Sequence, residues 1–485
     1  MLGAGGEHGS PQYTEQHPDE SYSAGCGVSS ASSHEVEVIQ QSNAVHAKTE
    51  ESGPSHNVPS LDLKRTASNA LNKVASSITT RSIANPPPPP DGGIRAWTQV
   101  AMGWLVILLT WGWVNSYGVF QTHYALNLDA SASTISWIGS VESFLTFFVG
   151  AFSGRLLDAG LYRPTLIIGG IIQVLGIFFM SLSTTYWQLM LTQGFMTGIG
   201  GGIFFTPTMG LIGTYFSRKR AIAVGLATTG NSAGGMIYPL FVQQLLPKLG
   251  FAWTVRVLGF FNLALLCIVV TFTRPRLPPR KTGPMIDFTA FKEPPYALFV
   301  AAVFFVMWPI YYTFYYLSSF ANEVIGISFA NALTITIILN GAGMPFRVIP
   351  PLFADRYGQL NVAIPTLAIL SIVAFCWIAV SSTTGIYLYV VFYGSASGAF
   401  QCLFPSTIAS LTSDMSTFGT RLGMGFSTLS FAALTGPSLG GAIMEAMKGR
   451  YLGAQLWAAF STTVCVCLVI ATRFSKVGWK MNVKA

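Results

Sequence analysis

From Trp97 to Thr472 the chain alternates apolar runs with short polar breaks. Each run is close to the ~20 residues a helix needs to cross the hydrocarbon of a bilayer. Twelve such runs stand out: 97–120, 134–152, 164–183, 187–212, 221–242, 251–273, 296–320, 330–353, 361–381, 385–409, 422–443 and 452–472. The pattern predicts an all-helical membrane protein with short connections. The polar residues 1–85 show no sustained apolar period and predict a disordered tail. Pro86 to Pro90 predict a stiff extended spacer. Within the tail, Leu61, Ala67, Leu71, Val74 and Ile78 lie near Lys64, Arg65 and Lys73. They read either as a short helix on a membrane surface or as scattered apolar residues.

The run has an internal repeat. Arg218-Lys219-Arg220 lead into Gly225 and Gly230-Asn231-Ser232-Ala233-Gly234-Gly235. Later Arg421 leads into Gly423, Gly425 and Gly436-Pro437-Ser438-Leu439-Gly440-Gly441. A second pair of loops also matches: Gly154-Arg155-Leu156-Leu157-Asp158 and Phe353-Ala354-Asp355-Arg356-Tyr357-Gly358. Both pairs fall at corresponding places in two sets of six spans. The expected division is therefore a tail (1–90), a six-helix half (91–273), a central loop (274–295), a second half (296–472) and a C-terminal tail (473–485). Glycines in such helices let neighbours approach closely.

Composition agrees. Of 485 residues, 51% are hydrophobic and 9% charged, against about 25% charged in soluble proteins. The net charge of +8 is no nucleic-acid signature, because most cations sit between spans, where they set orientation. Placing Arg155, Arg163, Arg218 to Arg220, the central cluster, Arg356, Arg421 and Arg473 inside makes both termini cytoplasmic. Five of six His lie in the tail, and the Cys residues of the body fall in apolar runs and read as buried free thiols. No metal or cofactor is expected. The body has no His cluster, acid pair or nucleophile set, so an enzyme is disfavoured. The expected partners are a small-molecule substrate and the bilayer, with a monomer as the working unit and the plasma membrane as its location.

At this point the motifs resemble a known family. Gly154-x-x-x-Asp158-x-Gly160-x-x-Arg163 resembles the cytoplasmic loop motif of the major facilitator superfamily, and Gly436 to Gly441 its glycine-proline motif. That motif usually stands in the fifth helix, where this chain has Asn231 in place of Pro. Asp91-Gly92-Gly93 with Trp97, and Tyr215-Phe216 with Arg220-Ala221-x-Ala223-x-Gly225, resemble signatures of the monocarboxylate-porter branch, its fungal members above all. The resemblance implies two pseudo-symmetric six-helix bundles that rock about a central site.

Ionisable groups inside spans are costly and are functional candidates by default. In the resembling family an eighth-helix Arg followed by Pro helps bind a substrate carboxylate; here that is Arg347, among Pro345, Pro350 and Pro351. It reads as a substrate contact or as a partner of a neighbouring helix. The family's proton-coupled members carry a first-helix Lys and an acid before the Arg; this chain has Asn115, and Gly343 with Asn340 a turn earlier. The substrate candidates are therefore Arg347, Asn115, Asn340, Tyr312 of the aromatic seventh span, Gln193 and Gln401. Glu142 is a candidate coupling group or a structural partner of a polar neighbour. Asp158, Arg163, Asp355 and Arg356 form the expected cytoplasmic gate. Together these imply a secondary transporter for an organic acid or an acidic or polar secondary metabolite, with export as plausible as uptake. The alternative is a non-transporting sensor of the same fold.

Overall fold

Lipid offers no partner to a free backbone N–H or C=O, so each apolar run closes its hydrogen bonds on itself as a helix. The computed structural model describes residues 89–216, 219–276, 287–412 and 418–478, without the side chains of Asp158, Arg220, Ala221, Phe329, Ala330 and Asp355. These residues form α1 (Ile94–Asn127), α2 (Ala132–Asp158), α3 (Tyr162–Met180), α4 (Tyr186–Tyr215), α5 (220–249) and α6 (251–272). They continue with α7 (Pro294–Glu323), α8 (Phe329–Phe346, continued by Ile349–Tyr357), α9 (Gln359–Cys376), α10 (Thr383–Leu411), α11 (Phe418–Ala446) and α12 (Leu452–Val477). The predicted tail and surface helix, most of the proline spacer, and Arg218 lie outside the described residues.

Local chemistry explains the boundaries. Ser131 caps α2 by accepting from the Thr134 N–H, and Ser382 caps α10 by accepting from Gly385. Thr185 and Gln188 form a capping box at the start of α4, and α7 opens on prolines that need no N–H partner. Among the described residues, ten stretches are long and apolar enough to cross a membrane, against twelve predicted spans. One reason is that α5 and α6 run together as Ile222–Phe272, bent at Gly250, whose φ of 70° suits only glycine. The other is α11, whose many Gly, Ser and Thr residues dilute its apolar character.

Unlike a protein in water, the bundle turns large apolar side chains outward, while its largely apolar core also holds polar groups. Ile168, Ile372, Leu388, Phe392 and Phe460 face outward, whereas Glu142, Gln193, Asn231 and Arg347 are buried. A lipid-facing surface asks for this arrangement.

The sequence repeat is also a packing repeat. Trp104 Nε1 on α1 donates to Thr229 Oγ1 on α5 at 3.0 Å, and Trp308 Nε1 on α7 donates to Thr435 Oγ1 on α11 at 2.7 Å. The next residue in each case, Gly230 or Gly436, lies so close that a Cβ would sit 2.2 or 2.8 Å from the carbonyl oxygen of that same Trp. One turn on, Gly234 meets Gly112, where a Cβ on either would come within 2.5 Å of the other's Cα. The pairs that join the first six helices to the last six obey the same exchange: α2 packs on α11, α8 packs on α5, and α1 meets α7.

At the end of the bundle where α1 finishes, hereafter the far end, the two sets are tied together. Tyr316 Oη donates to Ala132 O at 3.1 Å, Ser133 Oγ to Ser438 O at 3.1 Å, and the Ser133 N–H to Glu445 Oε1 at 3.1 Å. At the near end, ties form within each set. Asp91 N donates to Tyr215 O at 3.1 Å and Tyr215 Oη to Arg274 O at 2.8 Å. In the second set Arg421 grips Glu293 with two bonds, 2.8 and 2.6 Å, and lies 3.5 Å from Asp287. The Arg421 hydrogen bonds hold the Glu293 carboxyl below its usual range. Asp287 is also lowered, chiefly by the Thr289 hydroxyl, with Arg421 adding to it.

Candidate functional site

Three local irregularities build the site. In α1, a wider π-turn over Leu108–Gly112 precedes Asn115 and a bend at Ser116. In α5, the close approach at Gly230 and Gly234 carries Asn231 and Ser232 against α1 and α8. In α8, Pro345 ends the first segment and leaves Arg347 at its C-cap, before Ile349–Tyr357 resumes. Irregular turns in membrane helices survive where they line a protein interior.

Arg347 is only 4% exposed. Its Nε donates to Ser232 Oγ at 2.9 Å and its Nη2 to Gln401 Oε1 at 3.0 Å. Asn115 Nδ2 donates to Asn231 Oδ1 at 2.6 Å. With the Asn231 amide turned over, its oxygen instead accepts from Arg347 Nη2 at 3.0 Å and its nitrogen donates to Trp111 O at 3.1 Å. Turned over, Asn231 bonds Arg347 directly; in the first orientation it reaches Arg347 only through Gln401, to which its Nδ2 donates at 3.5 Å. Cys402, which shares a 3.2 Å contact with Thr228, and Tyr311 complete the surroundings of the guanidinium. All these partners are uncharged at neutral pH, and among the described residues no carboxylate pairs with Arg347.

Rings adjoin this network. Trp111 lies 4.1 Å from Phe147 and 5.3 Å from Phe205 between ring centres, and Phe147 lies 6.4 Å from Tyr311 and 5.6 Å from Phe426. These come from α1, α2, α4, α7 and α11. Trp111, Phe147, Phe205 and Tyr311 keep 6–8% exposure, whereas Tyr312 and Tyr315 have none. The former keep some accessible surface; the latter are packed shut. Such a cationic fork beside aromatic walls can hold a carboxylate carried on an aromatic or apolar body.

The predicted residues divide accordingly. Arg347, Asn115 and Gln401 come together. Asn340 lies two turns before Arg347 on α8, about 10 Å away along the axis. Its Nδ2 donates to Thr336 O at 3.0 Å, and its Oδ1 is buried without a partner. Tyr312 is placed elsewhere, between Tyr316, Trp377 and Trp457, with its hydroxyl 3.5 Å from Met444 Sδ. It is Tyr311, one residue earlier, that turns toward Arg347. Gln193 joins a different polar group: Tyr124 Oη donates to its Oε1 at 2.7 Å, and Thr197 Oγ1 donates to Glu142 Oε1 at 2.9 Å. Of the gate residues, Arg163 and Arg356 are exposed at the near end, Arg356 over the Tyr357 ring. The Asp158 and Asp355 side chains lie outside the described residues.

Several contributors were not singled out from sequence, Asn231 and Tyr311 among them. Asn231 had a signal, since it stands where the repeated motif carries Pro. Tyr311 had none, because eleven aromatics crowd α7 and only packing decides which one turns inward. No group of three or more His, Cys, Asp or Glu that could hold a metal occurs among the described residues.

Twelve helices in exchange-related pairs around a buried polar cluster define a carrier of solutes. Comparison with known proteins gives the family. Residues 102–417 match the Major Facilitator Superfamily. Over 438 residues the chain is 40% identical to an MFS-type transporter of Gibberella zeae, covering 90% of this chain and 98% of that one. It is 34% identical to an aspyridones efflux protein of Emericella nidulans, covering 80% and 81%, and 32% identical to an agnestins efflux protein of Paecilomyces divaricatus, covering 85% and 94%. The chain belongs to the Major Facilitator Superfamily. It is a membrane transporter, not an enzyme.

Proposed function

We propose that this transporter exports a carboxylated secondary metabolite with an aromatic or apolar body. The observation that carries the reading is Arg347: a buried cation with only neutral partners. A buried charge left without an opposite charge is expensive, and an incoming carboxylate would relieve that cost. Asn115, Asn231 and Gln401 would hold the polar rim of the cargo, and Trp111, Phe147, Phe205 and Tyr311 its body. The efflux proteins among the relatives favour export over uptake, and transporter names among them disfavour the sensor reading.

The finer assignment to the monocarboxylate-porter branch rests on Asp91-Gly92-Gly93, Trp97 and the fifth-helix signature. With both termini cytoplasmic, the far end faces outward and its ties close the outer gate. Asp158, Arg163, Asp355 and Arg356 would form the inner gate, and residues 91–273 and 296–472 the two rocking halves. We assign a monomer in the plasma membrane. Coupling to protons would fall to Glu142, the buried acid of α2.

Flux tests this. Vesicles holding the full-length protein and loaded with a panel of aryl and alkyl carboxylates should release some of them down a gradient, faster than empty vesicles. Binding without release would sink the transport of those cargoes and return the sensor reading.

A further inference from the structure

A second buried polar cluster lies on the opposite side of α1 from the Arg347 network. Trp113 and Asn115 are two residues apart, so they point about 200° apart around the helix. Asn115 reaches Asn231; Trp113 aims its Nε1 toward the Glu142 carboxylate but makes no full hydrogen bond. Three side-chain atoms here are buried without a partner: Trp113 Nε1, Gln193 Nε2 and Glu142 Oε2. Their residues are 1%, 0% and 1% exposed. That is two donors and one acceptor, the complement of a single water molecule. An irregular π-turn in each of two helices borders the cluster, Leu108–Gly112 in α1 and Met190–Thr197 in α4.

The surroundings supply no counter-charge. From α1 come Trp113 and Tyr124, from α4 Gln193 and Thr197, and from α7 Tyr315. The α11 face beside α2 offers Phe431, edge-on to Phe144 and Phe148. No cation pairs with Glu142 among the described residues.

One contact joins this cluster to the far-end seam. Tyr315 Oη of α7 donates to Gly139 O at 2.7 Å and meets Ser143 Oγ at 2.8 Å. Gly139, Glu142 and Ser143 share one face of α2. Gly139 cannot be larger, because a Cβ would lie 2.4 Å from the Tyr117 ring. Tyr117 in turn packs on Tyr315 at 4.7 Å.

We propose that Glu142, Trp113 and Gln193 form a one-water protonation site, and that Tyr315 is the positioning residue that transmits its charge state to the far-end seam. The inference deepens the proton-coupled reading above and rests on it. In the carboxylate form, the water accepts from both N–H groups and donates to Oε2. When a proton from solvent bonds to Oε2, the acid donates to the water instead, and one N–H must let go. With the proton on, the cluster is neutral and the seam stays shut. With it off, an uncompensated charge draws water in along α2, and Tyr315 must leave Gly139 and Ser143.

Hydrogen exchange of the full-length protein tests the proposal, read at pH 6 and pH 8 on peptides covering 132–143 and 311–323 and corrected for the chemical rate. The parent should exchange about tenfold faster at pH 8, the scale set by two lost hydrogen bonds. Glu142→Gln should be slow at both pH values and Tyr315→Phe fast at both. Should Tyr315→Phe fail to fold, Ser143→Ala removes one of its two bonds and should reduce the pH effect. Arg347→Gln should keep the parent's pH response. A pH-independent parent, or an unchanged pH response in Glu142→Gln, Tyr315→Phe or Ser143→Ala, overturns the proposal, and so does a response lost in Arg347→Gln. Vesicles that fail to release carboxylates while this exchange pattern holds would count against the export reading alone.

Discussion

Replacing Arg347 with Gln should leave the fold about as stable as before while removing affinity for acids. Arg347 makes two bonds to neutral acceptors, Ser232 and Gln401. Hydrogen bonds from a charged group contribute about 1.5–3 kcal/mol each, so their loss costs about 3–6 kcal/mol. Against this stands the removal of a buried cation, whose desolvation is itself worth several kcal/mol. The two effects nearly cancel, and the net change should stay within about 2 kcal/mol, allowing for new bonds made by the Gln amide. An arginine locked to a buried carboxylate would behave otherwise, because its loss strands a charge and costs about 3–5 kcal/mol. The cargo has no such compensation. A carboxylate held by both arms of the fork loses two charge-assisted bonds, or roughly 10²–10⁴ in affinity. Unfolding of the purified protein and binding of a fluorescent aryl carboxylate measure the two sides separately. A loss of stability beyond about 3 kcal/mol, or a loss of affinity below about tenfold, would refute the reasoning.

Other consequences follow from the packing and the near-end ties. Gly234→Ala should prevent folding or sharply lower yield, because its Cβ would lie 2.5 Å from the Gly112 Cα and neither backbone can yield; detergent-resistant monomer on size exclusion reads this out. Trp104→Phe and Trp308→Phe should each cost about 1 kcal/mol in unfolding, by equal amounts if the two contacts are equivalent. Asn231→Ala should weaken acid binding about tenfold, since it removes the link between Asn115 and Arg347. The Arg421 tie has a defined pH range. Because the folded Glu293 value is lowered, its contribution is complete above its ordinary value of 4.5 and is lost as pH falls through the lowered one. The difference in melting temperature between the parent and Arg421→Gln should be constant from about pH 5 to 8 and shrink below about pH 4.

The helices were legible because a membrane imposes one length and one satisfied backbone on every span. The repeat was legible because Gly230, Gly234, Gly436 and Gly440 mark close approaches that tolerate little else. Arg347 stood out because charge is rare inside spans. Its partners were harder to see. Ser232 and Cys402 are ordinary polar residues in helices that contain many, and only the crossing of α5, α8 and α10 brings them together. Tyr312 was favoured over Tyr311 on spacing alone, yet α7 is buried on most sides, so periodicity cannot say which neighbour each ring meets. Gln193 was assigned to the cargo path by its helix; the π-turn at Met190–Thr197 shifts the register and turns it toward Tyr124 and Glu142.

The central claim is that Arg347 recognises the acid of the cargo. Its most direct measurement pairs each carboxylate with its neutral methyl ester and follows release of both from vesicles carrying the parent or Arg347→Gln. The account predicts that the parent releases the acid in preference to the ester and that the variant loses this preference. Equal release of acid and ester by the parent, or an acid preference that survives in Arg347→Gln, would contradict it.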